Sequence, residues 1–179
     1  MHFSSEYTPR PQPFQWLFAV LVLAAFVMAH SGPEKSAYSQ AQECEHYVHS
    51  SIGLLVLGVG VLRLLWRLGH RTRSHAAMPV WMLRAARLGY GALYGLLFAV
   101  PLTAITGTRL EGHSGGMLLG LELPPQRALD HSLGAWESAL HTWLGDAILW
   151  LAGLHAAVAI YHHRVQKDNT LLSMMPRRS

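Results

Sequence analysis

The sequence predicts an all-α membrane protein in which four transmembrane helices form one bundle. Apolar residues make up 51% of the 179 residues and charged residues only 13%, about half the charged share of soluble domains. The apolar residues are gathered into four stretches, each near the roughly 20 residues that a helix needs to cross the hydrocarbon core. These stretches are residues 14–30, 49–66, 86–106 and 141–163. We therefore interpret residues 1–179 as a single transmembrane domain.

The first three predicted spans and the connection before the fourth each have a distinguishing local feature. The first span follows a polar segment with three prolines and has no clear small-residue cleavage pattern after it, so we expect it to be retained. The second span contains glycines that permit close approach of a helix or a flat ligand, and Pro101 is expected to kink the third. The long connection before the fourth span, residues 107–140, contains GGMLLGLELPP, which is too short to cross and is interpreted as a surface or re-entrant piece.

The Lys and Arg residues predict the orientation of the bundle. Eleven of the 14 lie in the N-terminal segment, around the connection between the second and third spans, or in the C-terminal tail. The other three lie in the two opposite loops, at Lys35, Arg109 and Arg127. The positive-inside rule therefore predicts a multi-pass membrane protein in which both termini are cytoplasmic. With the basic charge serving topology and lipid contact, no nucleic-acid partner is expected.

Histidines inside the spans are the strongest indication of function. His141 and His155 are fourteen residues apart in the fourth span, so on a helix they share one face within about 40° and are separated by about 21 Å. His49 begins the second span and is predicted to lie at the depth of His141. Paired histidines are ligands of haem iron, and the single Cys44 leaves no motif for covalent attachment. We expect a b-type haem between His49 and His141 and a second on His155. Ordinary interfacial histidines are the alternative.

The sequence leaves alternatives for the partner of each of these histidines. His46, one turn before His49, competes for the same role, but His49 begins the apolar run and is therefore preferred. For the inner histidine, His155, the first span offers only Gln15 and the third span Tyr90. A phenolate ligand is unusual in electron carriers, so an inner haem on His155 is expected to be five-coordinate or completed by water or another side chain.

Two charged residues inside the spans also have two interpretations each. Arg63 lies fourteen residues after His49, at the predicted inner level, as either the partner of a haem propionate or a snorkelling topology charge. Asp146 is a carboxylate inside the fourth span. We interpret it as a hydrogen-bond partner of a histidine or of the loop, in preference to a proton path to a quinone.

Several motifs resemble the bacterial cytochrome b561 family, including its superoxide oxidase members. They are the C-terminal GLHAAVAIYHH with KDNTLLSMMPRRS, the third-span LYGLLFAVP, the GLELP loop, and H-x3-G-x9-R-x3-R at His49, Gly53, Arg63 and Arg67. The resemblance implies a four-helix membrane cytochrome with two b haems that exchanges electrons with quinone. It implies haem ligands at His49, His141 and His155, and it places the family's first-helix histidine at Gln15 and a third-helix histidine of a relative at Tyr90.

The resemblance leaves two functions open. A superoxide oxidase would oxidise superoxide at the periplasmic face and reduce ubiquinone. The alternative is a non-catalytic cytochrome b subunit that transfers electrons for, and anchors, a respiratory dehydrogenase. The expected partners are membrane lipid, quinone, and superoxide or another periplasmic donor, with a homodimer or a dehydrogenase partner also open.

Overall fold

The computed structural model describes residues 12–30, 40–69, 79–112, 117–118, 121–122, 124 and 129–167. Several parts that support the sequence analysis lie outside these residues. They are the N-terminal segment with Arg10, the loop residues Lys35, Arg71, Arg73 and Arg127, and the KDNTLLSMMPRRS tail from residue 168 onwards. The side chain of Cys44 also lies outside the described part.

Four α-helices follow one another along the described chain: α1 Gln12–His30, α2 Gln40–Gly69, α3 Val80–Leu110 and α4 His131–Arg164. The helix α1 packs mainly against α2, and α3 packs mainly against α4, while α2 also contacts α3. The contacting residues of neighbouring helices follow opposite orders along the chain. His49 of α2 meets Ala25 of α1, and Arg63, later in α2, meets Phe18, earlier in α1. The helices are therefore antiparallel neighbours.

Three of the four predicted spans are confirmed as helices long and apolar enough to cross a membrane. They are His46–Gly69, Val80–Leu110 and His131–Arg164. The first helix differs, because its apolar part, Phe14–Ala29, is shorter than spanning length in the described residues. The helices also extend beyond the predicted spans, since α2 begins at Gln40 and α4 at His131. A helix continues into the aqueous region when its sequence permits, so the apolar stretch marks the hydrocarbon segment and not the helix ends.

The connection between α3 and α4 contains a short two-stranded hairpin. Its antiparallel strands are β1 Met117–Leu118 and β2 Leu121–Glu122, within the segment that the sequence predicted to be too short to span. The strand β1 lies against α2. Next to the hairpin, Nε of Arg109 donates a 2.9 Å hydrogen bond to the carbonyl of Pro124, which ties the end of α3 to the loop.

At the loop end of the bundle, α3 and α4 approach each other closely. A Cβ placed on Gly134 would lie 2.7 Å from Cγ of Glu111 and 3.2 Å from the carbonyl oxygen of Gly107. A Cβ on Gly107 would lie 3.0 Å from Oγ of Ser138. Small residues permit such close packing of membrane helices. This crossing fixes the register of α3 and α4, and that register positions the histidine of α4 on α3.

Few side chains are buried within the described part of the protein, and those that are buried lie along one side of each helix. The most buried apolar residues are Phe18, Val56, Ile148 and Ala159. Large apolar side chains cover the outside, including Trp143 and Trp150 of α4, which are 77% and 80% exposed. An apolar exterior is what a bundle surrounded by lipid requires, because lipid tails and not water are its solvent.

Candidate functional site

The structure brings His49 of α2 and His141 of α4 together. Their ring centroids are 5.9 Å apart and the ring planes are perpendicular. Both side chains are half-buried, whereas His46, one turn before His49, is exposed. The contact agrees with the depth predicted for the pair from the sequence. Because α3 is antiparallel to both α2 and α4, α2 and α4 run in the same direction and their apolar runs begin at the same end of the bundle.

Both histidines of this pair form a hydrogen bond to a backbone carbonyl through the same ring nitrogen. Nδ1 of His49 lies 2.9 Å from the carbonyl oxygen of Ala25 in α1. Nδ1 of His141 lies 2.8 Å from the carbonyl oxygen of Val100 in α3. A carbonyl oxygen can only accept, so Nδ1 carries the proton in both rings. Each Nε2 therefore keeps its lone pair, and neither has a hydrogen-bond partner among the described residues.

This arrangement fits the requirements of a metal held between two imidazoles. A ligating histidine commonly donates its other ring N–H to a backbone carbonyl, which fixes the tautomer and the ring orientation. A nitrogen–metal bond of about 2 Å on each side places the two ring centroids about 6 Å apart, close to the separation in this pair. Each of the four helices contributes one group, since Ala25 and Val100 supply the carbonyls. The described residues contain no cluster of three metal-binding side chains that would suit a bare ion instead.

His155, the histidine predicted to hold a second haem, lies further along α4 on the same side as His141. Its nearest aromatic neighbour is Tyr90 of α3, with ring centroids 5.7 Å apart and an angle of 64° between the planes. Among the described residues, His155 has no hydrogen-bond partner. Gln15 is a half-buried residue of α1. Of the two alternatives that the sequence offered for this level, the structure places Tyr90 in contact with His155.

Arg63 lies between two aromatic rings at the level that the sequence predicts to be the inner one. Its guanidinium carbon is 5.6 Å from the ring centroid of Phe18 in α1 and 5.8 Å from that of Tyr94 in α3. Arg67 also lies over Tyr94, at 5.5 Å. A guanidinium over an aromatic face is attracted by the ring quadrupole. In the described part of the chain neither arginine pairs with a carboxylate, so both charges remain available to an anion.

Two other polar groups of α4 are the carboxylate of Asp146 and Nδ1 of His163. Asp146 is exposed and forms no hydrogen bond to a described residue, while most of the loop that could supply its predicted partner lies outside the described residues. It lies on the side of α4 turned away from His141. Near the end of α4, Nδ1 of His163 is buried and has no hydrogen-bond partner among the described groups.

Sequence reasoning missed the residues that support the site. The carbonyls of Ala25 and Val100 have no sequence signal, because every residue carries a carbonyl. Tyr94 and Phe18 appear in the sequence as ordinary apolar-span aromatics. The spacing of Tyr94 four residues after Tyr90 is a signal that was present, since residues four apart share one helix face.

The fold and the site together define a class: helical membrane proteins in which histidines of two different helices face each other inside the bundle. A model of the prokaryotic cytochrome b561 family matches residues 15–177. The chain therefore belongs to this family, whose members are membrane electron-transfer proteins and for which haem b is the implied cofactor.

Curated relatives agree with this assignment. Cytochrome b561 homolog 2 of Escherichia coli (strain K12) is 30% identical over 167 residues, which cover 93% of this chain and 89% of that protein. A protein of Yersinia pestis named probable superoxide oxidase CybB is 31% identical over 161 residues, covering 88% of this chain and 91% of that protein. Cytochrome b561 homolog 1 of Escherichia coli (strain K12) is 30% identical over 165 residues, or 90% of each chain.

Proposed function

We propose that this protein carries single electrons between a donor at the outer face of its own membrane and the quinone pool. The observation that supports the proposal most directly is the His49–His141 pair, with both Nδ1 protons held by carbonyls. The two Nε2 atoms would hold one haem b as axial ligands. When bound, the haem supplies an iron that exchanges one electron at a time with little change in geometry.

The chain's own residues would keep this site inert towards other ligands. If His49 and His141 both held the haem iron, these imidazoles, fixed by hydrogen bonds to different helices, would keep oxygen and water from binding it. Half-burial of both rings in an apolar bundle excludes bulk solvent, and this low-polarity setting is one of the protein's means of tuning a haem potential. The site at His49 and His141 is therefore proposed to transfer electrons, and the substrate would react next to it.

An inner haem would be held by His155, with Tyr90, water or no further side chain as the second ligand. The family's first-helix ligand position corresponds to Gln15, whose amide is a poor iron ligand. Tyr90 contacts His155, which makes it the better-placed residue of the two. The proposal is therefore two haems per chain, of which the inner one differs from the outer one in ligation.

Arg63 is proposed as the partner of an inner haem propionate. Its guanidinium lies between Phe18 and Tyr94 on the bundle side of α2, and a half-buried cation without a carboxylate partner favours an anion nearby. A snorkelling topology charge is the competing role, and it would instead direct the guanidinium towards the lipid headgroups. The contacts with Phe18 and Tyr94 favour the propionate role, because these rings belong to α1 and α3 and so hold the guanidinium within the bundle.

For the substrate, we propose superoxide at the periplasmic face and ubiquinone as the acceptor, as the name of the Yersinia pestis relative suggests. Each superoxide would lose one electron and leave as dioxygen. Two such electrons and two protons would convert one quinone to quinol. The chain would then be an enzyme, a superoxide:ubiquinone oxidoreductase, in a bacterial inner membrane. In this proposal α1 is the fourth membrane helix, and residues 1–179 form one domain.

One observation favours the alternative, a non-catalytic subunit that anchors a dehydrogenase. The carboxylate of Asp146 is exposed on α4 between Trp143 and Trp150, on a surface that lipid alone would solvate poorly. Ionisable groups within spans usually face a partner or a water-filled cavity. A partner helix with a donor at this depth would satisfy Asp146.

The decisive experiment uses the isolated full-length chain in liposomes that contain ubiquinone. Superoxide generated outside the liposomes should produce quinol, and the preparation should contain haem b. The His141→Ala variant should lose the outer haem and this activity together. Haem without any superoxide-dependent quinol, in a protein that co-purifies with a dehydrogenase, would support the anchor function instead. A colourless preparation would overturn both.

A further inference from the structure

The carbonyl oxygen that orients His141 accepts a second side-chain hydrogen bond. Nδ1 of His141 lies 2.8 Å from the oxygen of Val100. The hydroxyl of Thr103 lies 2.9 Å from the same oxygen and 3.0 Å from the oxygen of Ala99. Thr103 is half-buried on α3, one turn after Val100, so the hydroxyl approaches this carbonyl from within its own helix.

The corresponding carbonyl for His49 has no such competitor. The oxygen of Ala25 accepts from Nδ1 of His49 at 2.9 Å, and no hydroxyl donates to it in the part of the chain that the structure describes. The two imidazoles of the pair are therefore held in different ways. Among side-chain donors, His49 has the oxygen of Ala25 to itself, whereas His141 shares the oxygen of Val100 with Thr103.

We propose that Thr103 is a positioning residue that tunes the site formed by His49 and His141, by competing with His141 for the carbonyl of Val100. The inference rests on the proposed function, because it assumes that His141 is an axial ligand of haem b. It assigns to Thr103 a role in setting the reduction potential, with no contact to haem or substrate required.

The physical basis is the polarity of the Nδ1–H bond. A strong acceptor draws this proton away from the ring, which makes the imidazole a stronger electron donor and favours the ferric state. Hydrogen bonds that share one acceptor weaken each other, because each donor takes up part of the charge on the oxygen. The Thr103 hydroxyl should therefore weaken the His141 bond and hold the reduction potential higher than it would otherwise be.

The test compares variants of the full-length, haem-loaded protein. Thr103→Val removes the hydroxyl and retains the shape of the side chain, while Thr103→Ser retains the hydroxyl. Thr108→Val is the matched control, since Thr108 donates in the same way to Ala104 at 2.9 Å and Ile105 at 3.3 Å, and neither carbonyl serves a histidine among the described residues. Thr103→Ala serves as the second hydroxyl-free variant if the valine form binds haem poorly.

The readouts are the midpoint potential from a redox titration and the low-spin ferric signal in electron paramagnetic resonance. We expect Thr103→Val and Thr103→Ala to lower the midpoint potential of one haem and to shift its low-spin signal. Thr103→Ser and Thr108→Val should match the wild-type protein, and haem content should be the same throughout.

Two different failures can be told apart. If Thr103→Val and Thr108→Val give equal potentials while His141→Ala removes a haem, the tuning role of Thr103 is wrong and the proposed haem site stands. If His141→Ala changes neither haem content nor spectrum, the ligand assignment is wrong and the role of Thr103 is overturned with it.

Discussion

At the scale of single residues, the chemistry of the site is decided by which ring nitrogen carries the proton. In a histidine without a fixed Nδ1 bond, the two tautomers interconvert and the ring rotates, so a lone pair is present at the required atom only part of the time. The carbonyls of Ala25 and Val100 remove this freedom for His49 and His141. The pair is thus prepared for a ligand on the Nε2 side by backbone atoms alone.

A first prediction separates His49 from its neighbour His46. We expect His49→Ala to remove one haem per chain, together with a low-spin signal, because no other described imidazole contacts His141. His46→Ala is the matched control and should retain both, since His46 is exposed. Haem content and reduced-minus-oxidised spectra make the comparison. Loss of haem in the His46 variant with retention in the His49 variant would reverse the assignment.

A second prediction concerns the inner level. An inner haem held by His155 without a histidine opposite should bind carbon monoxide when reduced. Gln15→His should introduce an imidazole at the family's ligand position and abolish that binding, or raise haem content. Gln15→Asn is the control, because an amide of either length ligates iron poorly. A wild-type protein that contains two haems and whose reduced spectrum is insensitive to carbon monoxide would contradict the open site.

These residues also illustrate how far the sequence alone could predict the site. The shared depth of His49 and His141 follows from four spans that alternate in direction, because the second and fourth spans then begin at the same membrane face. The contact of Tyr90 with His155 did not follow, since it depends on helix rotation. Apolar residues around both positions make several rotations equally acceptable to lipid. The role of Thr103 was invisible for a similar reason, because it acts through a backbone oxygen.

At the scale of helices, the sequence predicted the apolar segments better than the helix ends. The predicted fourth span began at residue 141, whereas α4 begins at His131, capped by Asp130. Hydropathy responds to the hydrocarbon region, and the extra turns of α4, HSLGAWESAL, are only partly apolar. Those extra turns matter, because they contain Gly134 and so create the close crossing with α3 that sets the height of His141 beside Val100.

A third prediction tests this crossing. Gly134→Ala should destabilise the bundle by about 1–3 kcal/mol, the usual effect of overpacking a tight contact, because the added Cβ would lie 2.7 Å from Glu111 and close to backbone atoms. Gly153→Ala is the matched control in the same helix, since its Cβ would meet nothing within 4 Å. Thermal unfolding in detergent measures the difference. Equal stability of the two variants would show that the crossing tolerates a methyl group.

A fourth prediction concerns the first turn of α4, outside the membrane. Oδ1 of Asp130 accepts hydrogen bonds from the backbone N–H of Leu133 at 3.0 Å and the hydroxyl of Ser132 at 2.8 Å. These bonds, the backbone one first, hold the pKa of this carboxyl below its ordinary value. A carboxyl with a lowered pKa stabilises the fold above the unfolded pKa, about 3.9, and this contribution is lost as the pH falls through the folded value.

The Asp130→Asn variant isolates this effect, because asparagine also caps helices but does not titrate. We expect the wild-type protein to be the more stable of the two at neutral pH, with the difference in melting temperature shrinking as the pH falls below about 4. Melting curves of both proteins across this range provide the measurement. A difference that does not change with pH would mean that the charge of Asp130 contributes nothing to the cap.

At the scale of the whole molecule, the proposed function requires the two histidine levels to lie towards opposite membrane faces. His141 and His155 are separated by about 21 Å along α4, most of the roughly 30 Å hydrocarbon thickness. An electron entering at the His49–His141 end would therefore cross much of the membrane before reaching the Tyr90–His155 end. This direction has a biological meaning only if the loop end of α4 faces the periplasm, which the Lys and Arg distribution predicts.

A fifth prediction tests that orientation directly. In a Cys44→Ser background, a cysteine is introduced either by Leu129→Cys, before α4, or by Lys167→Cys, after it; the first position is 52% exposed and the second is also exposed. In right-side-out membrane vesicles, a membrane-impermeant thiol reagent should label the Leu129→Cys protein at once. The Lys167→Cys protein should react only after detergent opens the vesicles, because α4 carries the two residues to opposite faces. The reverse pattern would put His49 and His141 at the cytoplasmic face, where oxidation of periplasmic superoxide by this site is excluded by geometry.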